Sequence, residues 1–86
     1  MRIHVNKEHI ERGIKNDCGK CPIALALMEQ VPDIKFALID TETIGFLVSN
    51  SGKWIEKNHT YKTGRFIQDF DCGKAVKPFH FEMRVK

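Results

Sequence analysis

The stretch Lys35-Phe36-Ala37-Leu38-Ile39-Asp40-Thr41-Glu42-Thr43-Ile44-Gly45-Phe46-Leu47-Val48-Ser49-Asn50-Ser51-Gly52-Lys53-Trp54-Ile55-Glu56-Lys57 decides the architecture of this chain. Residues 35–40 and 43–49 both read as strands, rich in β-branched and aromatic side chains and joined by a tight Thr41-Glu42 link. Asn50-Ser51-Gly52 is a turn signal leading into a third run, 53–57. Three strand-like runs with links this short predict an antiparallel meander, because parallel neighbours need a long crossover.

Upstream, residues 2–5 alternate polar and apolar, which predicts a short strand with Ile3 and Val5 facing inward. Asn6 is a good N-cap for a helix over 7–12, with His9 placed to complete the cap and Val5 stapled against Ile10. Gly13 is expected to end that helix in the left-handed conformation, with Ile14 packing back. After a loop at 16–20, Pro22 suits the first position of a second helix and Cys21 its cap. Residues 23–28 are apolar all round, so this helix is expected to be central and buried until Val31 and Pro32 stop it.

Downstream of the meander, 58–61 reads as a connection. A third helix over 62–71 places Phe66, Ile67 and Phe70 on one face, with Gly73 as its stop. Phe79, Phe81, Met83 and Val85 then alternate with His80, Glu82 and Arg84, a half-buried strand. The order β-α-α-β-β-β-α-β is α+β, with helices covering one face of a small, mostly antiparallel sheet. Eighty-six residues make one domain, 1–86, since two cores would each fall below the size that folds unaided.

Composition narrows the function classes. The longest apolar run has six residues, 23–28, where a membrane span needs about 20. The first residues hold no apolar signal core, so a soluble, cytoplasmic protein is expected. Three cysteines cannot form a complete intrachain disulfide set. The net charge of +3 excludes an acidic nucleic-acid mimic, and its excess arises at or beyond residue 53.

Two segments carry candidate chemistry. The first, Cys18-Gly19-Lys20-Cys21-Pro22, has two thiols at chelating distance at a helix start, where the dipole favours thiolate. It supports a zinc or redox-active thiol module, or else a structural role in which Cys21 caps the helix and Cys18 packs in the loop. Zinc requires two further ligands, which Cys72, His80, His4 or His9 would have to supply. The second runs from Lys53 to Arg65 and interleaves cations with aromatics. Lys53, Lys57, Lys62 and Arg65 supply charge and Trp54 and Tyr61 supply anchors, a composition suited to a protein partner, a nucleotide or a single strand.

Other features point less far. Asp69 and Asp71 flank a helix end and lack the remaining oxygen ligands of a calcium loop. His4 and His80 should meet across adjacent strands, or His4 should lie near Glu82. No Gly-rich phosphate loop, nucleophile elbow or H-E-x-x-H occurs, so no catalytic residue, resident metal or cofactor is expected and an enzyme is disfavoured.

Three stretches together carry a resemblance. They are Ile3-His4-Val5 with His9-Ile10 and Gly13; Cys18-Gly19-Lys20-Cys21-Pro22-Ile23-Ala24-Leu25-Ala26-Leu27; and Phe66-Ile67-Gln68-Asp69-Phe70-Asp71-Cys72-Gly73 with Val76-Lys77-Pro78-Phe79-His80-Phe81. The chain resembles a group of small uncharacterised proteins of bacteriophages, prophages and their hosts. The resemblance spans nearly the whole chain and rests on caps, glycines and core positions, so it implies a common fold and carries over no catalytic residue. It implies a small binding protein acting on a host protein, a defence complex such as a CRISPR effector, or a nucleotide signal. Homodimerisation through free strand edges is a further expectation.

Overall fold

The structure is a computed structural model in which residues 1–84 are described. The elements run β1 (Arg2–Val5), α1 (Lys7–Arg12), α2 (Pro22–Gln30), β2 (Ile34–Ile39), β3 (Thr43–Val48), β4 (Lys53–Asn58), α3 (Tyr61–Asp71) and β5 (Phe79–Glu82). This is the α+β order read from the sequence, and every strand pair is antiparallel. The strands divide into two sheets instead of forming one. β2, β3 and β4 make the meander, while β1 pairs with β5 in a two-stranded ribbon. Thr60 and Thr63, at the start of α3, line the space between the ends of β4 and β5, and there the two sheets part.

The first unit forms by its caps. The Asn6 N–H donates to Nδ1 of His9 at 2.9 Å, so His9 completes the cap as expected. His9 is 1% exposed, and its Nε2 donates to Glu29 on α2 at 3.2 Å. Gly13 departs from expectation, with φ −66° and ψ 147°, an extended conformation. Glycine serves close approach here, because a Cβ would stand 2.6 Å from Cδ of Pro22, where α1 ends against the start of α2. Ile14 does not fold back but is 48% exposed, and its N–H donates to Lys20 O.

Sγ of Cys21 caps α2 by accepting from the Ala24 N–H at 3.5 Å. Ile23, Ala24, Ala26 and Leu27 are buried, while Leu25 and Met28 are half-buried, so α2 is central but not enclosed on every side. It packs on β1, β2 and α1. Each fully buried Ile or Leu of this kind stabilises the fold by about 1.5–3 kcal/mol.

In the meander, Ala37, Phe46 and Ile55 stand in register on the inner face, next to Ile39, Ile44 and Lys57. A bulge between Ile34 and Phe36 shifts the register, so Lys35 and Phe36 are both exposed. α3 starts one residue earlier than expected because Thr60 caps it, its Oγ1 accepting from the Thr63 N–H. Phe66, Ile67 and Phe70 are buried, and Gly73 at φ +81° ends the helix in the left-handed conformation. β5 is shorter than the alternating run. Met83 still points inward at 6% exposure, and Val85 lies outside the described residues.

Candidate binding surfaces

The outer face of the meander is apolar where solvent should favour polar side chains. Phe36, Leu47 and Trp54 stand in register across it, with Leu38, Gly45 and Glu56 as the next row. Phe36 is 45%, Leu38 39% and Trp54 43% exposed. The Phe36 and Trp54 rings lie 6.1 Å apart at 58°. Gly45 makes this possible, since a Cβ there would overlap Cζ2 of Trp54, so the indole lies over the glycine. Nε1 of Trp54 donates to Glu56 at 3.0 Å, which fixes the ring and occupies the carboxylate. Lys35 and Lys53, the chain neighbours of Phe36 and Trp54, are exposed and hold no ion pair among the described residues.

The six residues singled out between 53 and 65 do not form one site: Lys57 and Lys62 line adjoining hollows, and the other four lie on other faces. Trp54 lies on the outer sheet face, and its neighbour Ile55 is half-buried against the core. Lys57 is on the inner side of β4 and lines a hollow of about 230 Å³ with Ile44, Phe81 and Met83. Lys62 lies toward β5, its Nζ 5.7 Å from the Phe79 ring, and lines a different hollow with Arg2 and His80. Tyr61, 84% exposed, and Arg65 share another face of α3, with Arg65 engaged by Asp69 at 3.3 Å. Lys53 remains at the far end of the meander, opposite Val48. Consecutive residues alternate sides on a strand and rotate about 100° on a helix, so a segment spanning both disperses its side chains.

Sequence reading passed over Phe36, Leu38 and Gly45. Their signal was present: Phe36 and Leu38 alternate with Ala37 and Ile39, giving β2 two apolar faces, and only one can face the core. On the opposite ribbon, His4 and His80 meet as expected, with ring centroids 5.8 Å apart. Chiefly the Lys62 ammonium, with Arg2 and His4, pushes His80 below the ordinary imidazole value.

The connection before α3 is a polar latch. Nε2 of His59 donates to Asp40 O at 2.7 Å, leaving Nδ1 to accept from Thr63 Oγ1 at 2.9 Å. Asp40 itself accepts from the Thr43 N–H at 2.6 Å and the Glu42 N–H at 2.8 Å. These bonds hold its carboxyl below the usual carboxylate range.

Cys21 is buried, and desolvation pushes its thiol up to about 11, against the lowering by the Ala24 amide. At neutral pH it is a protonated helix cap, whereas Cys18 and Cys72 are exposed free thiols. Asp69 is tied to Arg65 and Lys74, and Asp71 accepts from the Asn16 N–H. Among the described residues, no three His, Cys, Asp or Glu side chains converge to hold a metal ion. None of the helices there is long and apolar enough to cross a membrane. No family model, curated protein or solved structure matches this chain.

Proposed function

We propose that this chain is a small non-enzymatic binding protein of phage type that blocks a host process, an antiviral defence complex being the leading target class. The observation that carries the reading is the Phe36–Leu38–Trp54 surface, three large apolar side chains on one sheet face that stay 39% to 45% exposed among the described residues. Such patches mark partner surfaces on small domains, and a Trp seated on a rigid platform is the residue type that dominates binding energies. The Trp54 indole is held over Gly45 by its bond to Glu56, so the surface meets a partner preformed. The cap role of Cys21 favours this reading over a thiol or metal module.

The test is biological and structural at once. The protein is expressed in host cells carrying a defence system, and phage plaque formation is counted with the wild type and with Trp54→Ser, whose fold is checked by circular dichroism. The reading expects plaques to be restored by the wild type and lost with the folded Trp54→Ser variant. Restoration that is indifferent to Trp54→Ser, or a wild type inert against every defence system tried, counts against it.

A further inference from the structure

We propose that the open edge of β5 is a second docking site, where an extended acidic polypeptide segment of a partner adds as a third strand to the β1–β5 ribbon. The backbone sets the argument. Met83 and Met1 exchange both bonds, the Met83 N–H donating to Met1 O at 2.9 Å and the amino terminus donating to Met83 O at 3.0 Å. In an antiparallel ladder the next residue that faces β1 is Phe81, so His80 and Glu82 direct their N–H and C=O groups away from it. Among the described residues those groups have no hydrogen-bond partner. The other edge of the ribbon is answered at His4, where the Gln30 carboxamide bonds both the N–H and the C=O.

Beside the open edge runs a groove made of two hollows that share Thr60, Phe81 and Glu82. Its depth comes from Ile44, Phe81 and Met83, an apolar floor. Its charge comes from Lys57 and Arg84 on one side and Arg2 and Lys62 on the other. Arg2 and the amino terminus already share Glu82, at 3.0 and 3.7 Å. Lys57, Lys62 and Arg84 hold no ion pair among the described residues. The groove therefore offers cations for an acidic ligand, apolar surface for alternate side chains, and backbone groups that another backbone can satisfy.

A nucleic-acid strand fits less well. It carries a negative charge at every step, which Glu82 opposes at the centre of the groove, and it cannot answer a ladder of N–H and C=O groups. A peptide strand answers the ladder and, by alternating its side chains, turns carboxylates toward Arg2 and Lys62 while its neutral side chains meet the apolar floor. The run 79–84 is long enough to pair about 20 Å of extended chain at ~3.3 Å per residue.

The test uses the full-length protein and a fluorescein-labelled octapeptide of alternating glutamate and valine, read by fluorescence anisotropy. Three comparisons accompany it: the same peptide N-methylated at alternate residues, an oligothymidylate of matched charge, and the variants Lys62→Glu and Trp54→Ser. The proposal expects the plain peptide to bind at least about tenfold tighter than the methylated one and the oligothymidylate. Lys62→Glu should weaken it about tenfold and Trp54→Ser should leave it unchanged, which separates this site from the outer sheet face. Equal binding of methylated and plain peptide, tighter binding of the oligothymidylate, or no binding at all would each overturn it.

Discussion

The side chain of Gln30 acts as a neighbouring strand for His4. Nε2 donates to His4 O at 2.6 Å and the His4 N–H donates to Oε1 at 2.8 Å, so the last residue of α2 caps the edge of β1 at that position. An open strand edge invites pairing with other chains, and a carboxamide is the side chain that can answer both backbone groups at once. Gln30→Ala should cost about 1–2 kcal/mol in urea unfolding. Amide exchange at His4 should accelerate while exchange at Phe46 tracks only the global loss.

Gly45 and Trp54 form a similar matched pair on the other sheet. Gly45→Ala puts a methyl where the indole lies, so the ring must lift off the sheet. Because Trp54 is the sole tryptophan, its emission reports the change directly. The maximum should shift to longer wavelength, with a stability loss of about 1 kcal/mol and no change in far-ultraviolet circular dichroism. An unshifted maximum would mean that the platform does not position the ring.

The cysteines should separate into two classes. At pH 7.5, Cys18 and Cys72 should react with an alkylating reagent within minutes, while Cys21 should react only as fast as the protein unfolds. Linkage sets the alkaline behaviour. An unfolded thiol ionises near about 8.5 but the folded Cys21 only near about 11. The unfolded state thus releases its proton first, and stability should fall as pH rises between those values. Cys21→Ala should flatten that slope, and it should cost about 1 kcal/mol at neutral pH for the lost cap.

Asp40 gives the opposite dependence. Its carboxylate accepts from the Thr43 and Glu42 amides and is held below its ordinary value. Its contribution should be complete above about pH 4 and disappear as pH falls through the lowered folded value. At neutral pH, Asp40→Ala should cost about 0.5–1.5 kcal/mol, the low end reflecting solvent screening. The gap between wild type and variant should close in acid. A gap that stays constant down to pH 2 would show that the bonds to Asp40 add nothing specific to its charged form.

What was legible in the sequence was whatever local chemistry determines. Asn6 with His9, Cys21 before Pro22, and Gly73 after α3 act within one turn of chain, and each appears where its residue type predicts. The meander followed from links too short for any other connection. Gly13 was misread because its requirement comes from Pro22, a contact between two helices that local sequence does not encode. The division into two sheets escaped for the same reason, since which strands pair depends on contacts distant in sequence, such as β1 with β5. The 53–65 segment looked like one site because it is continuous in sequence. In space, a strand and a helix distribute it over several faces, and the apolar surface of Trp54 is completed by Phe36 from β2, eighteen residues earlier in the chain.

The outer face of the meander is the surface on which the proposed binding function rests. The most direct measurement is quantitative affinity capture from bacterial lysate with isotope-labelled comparison of four baits: wild type, Trp54→Ser, Phe36→Ser and Tyr61→Ser. At least one host protein should be enriched by the wild type and by Tyr61→Ser and lost with both outer-face variants, all four baits sharing one circular dichroism spectrum. Partners retained by Trp54→Ser and Phe36→Ser at wild-type levels would contradict it.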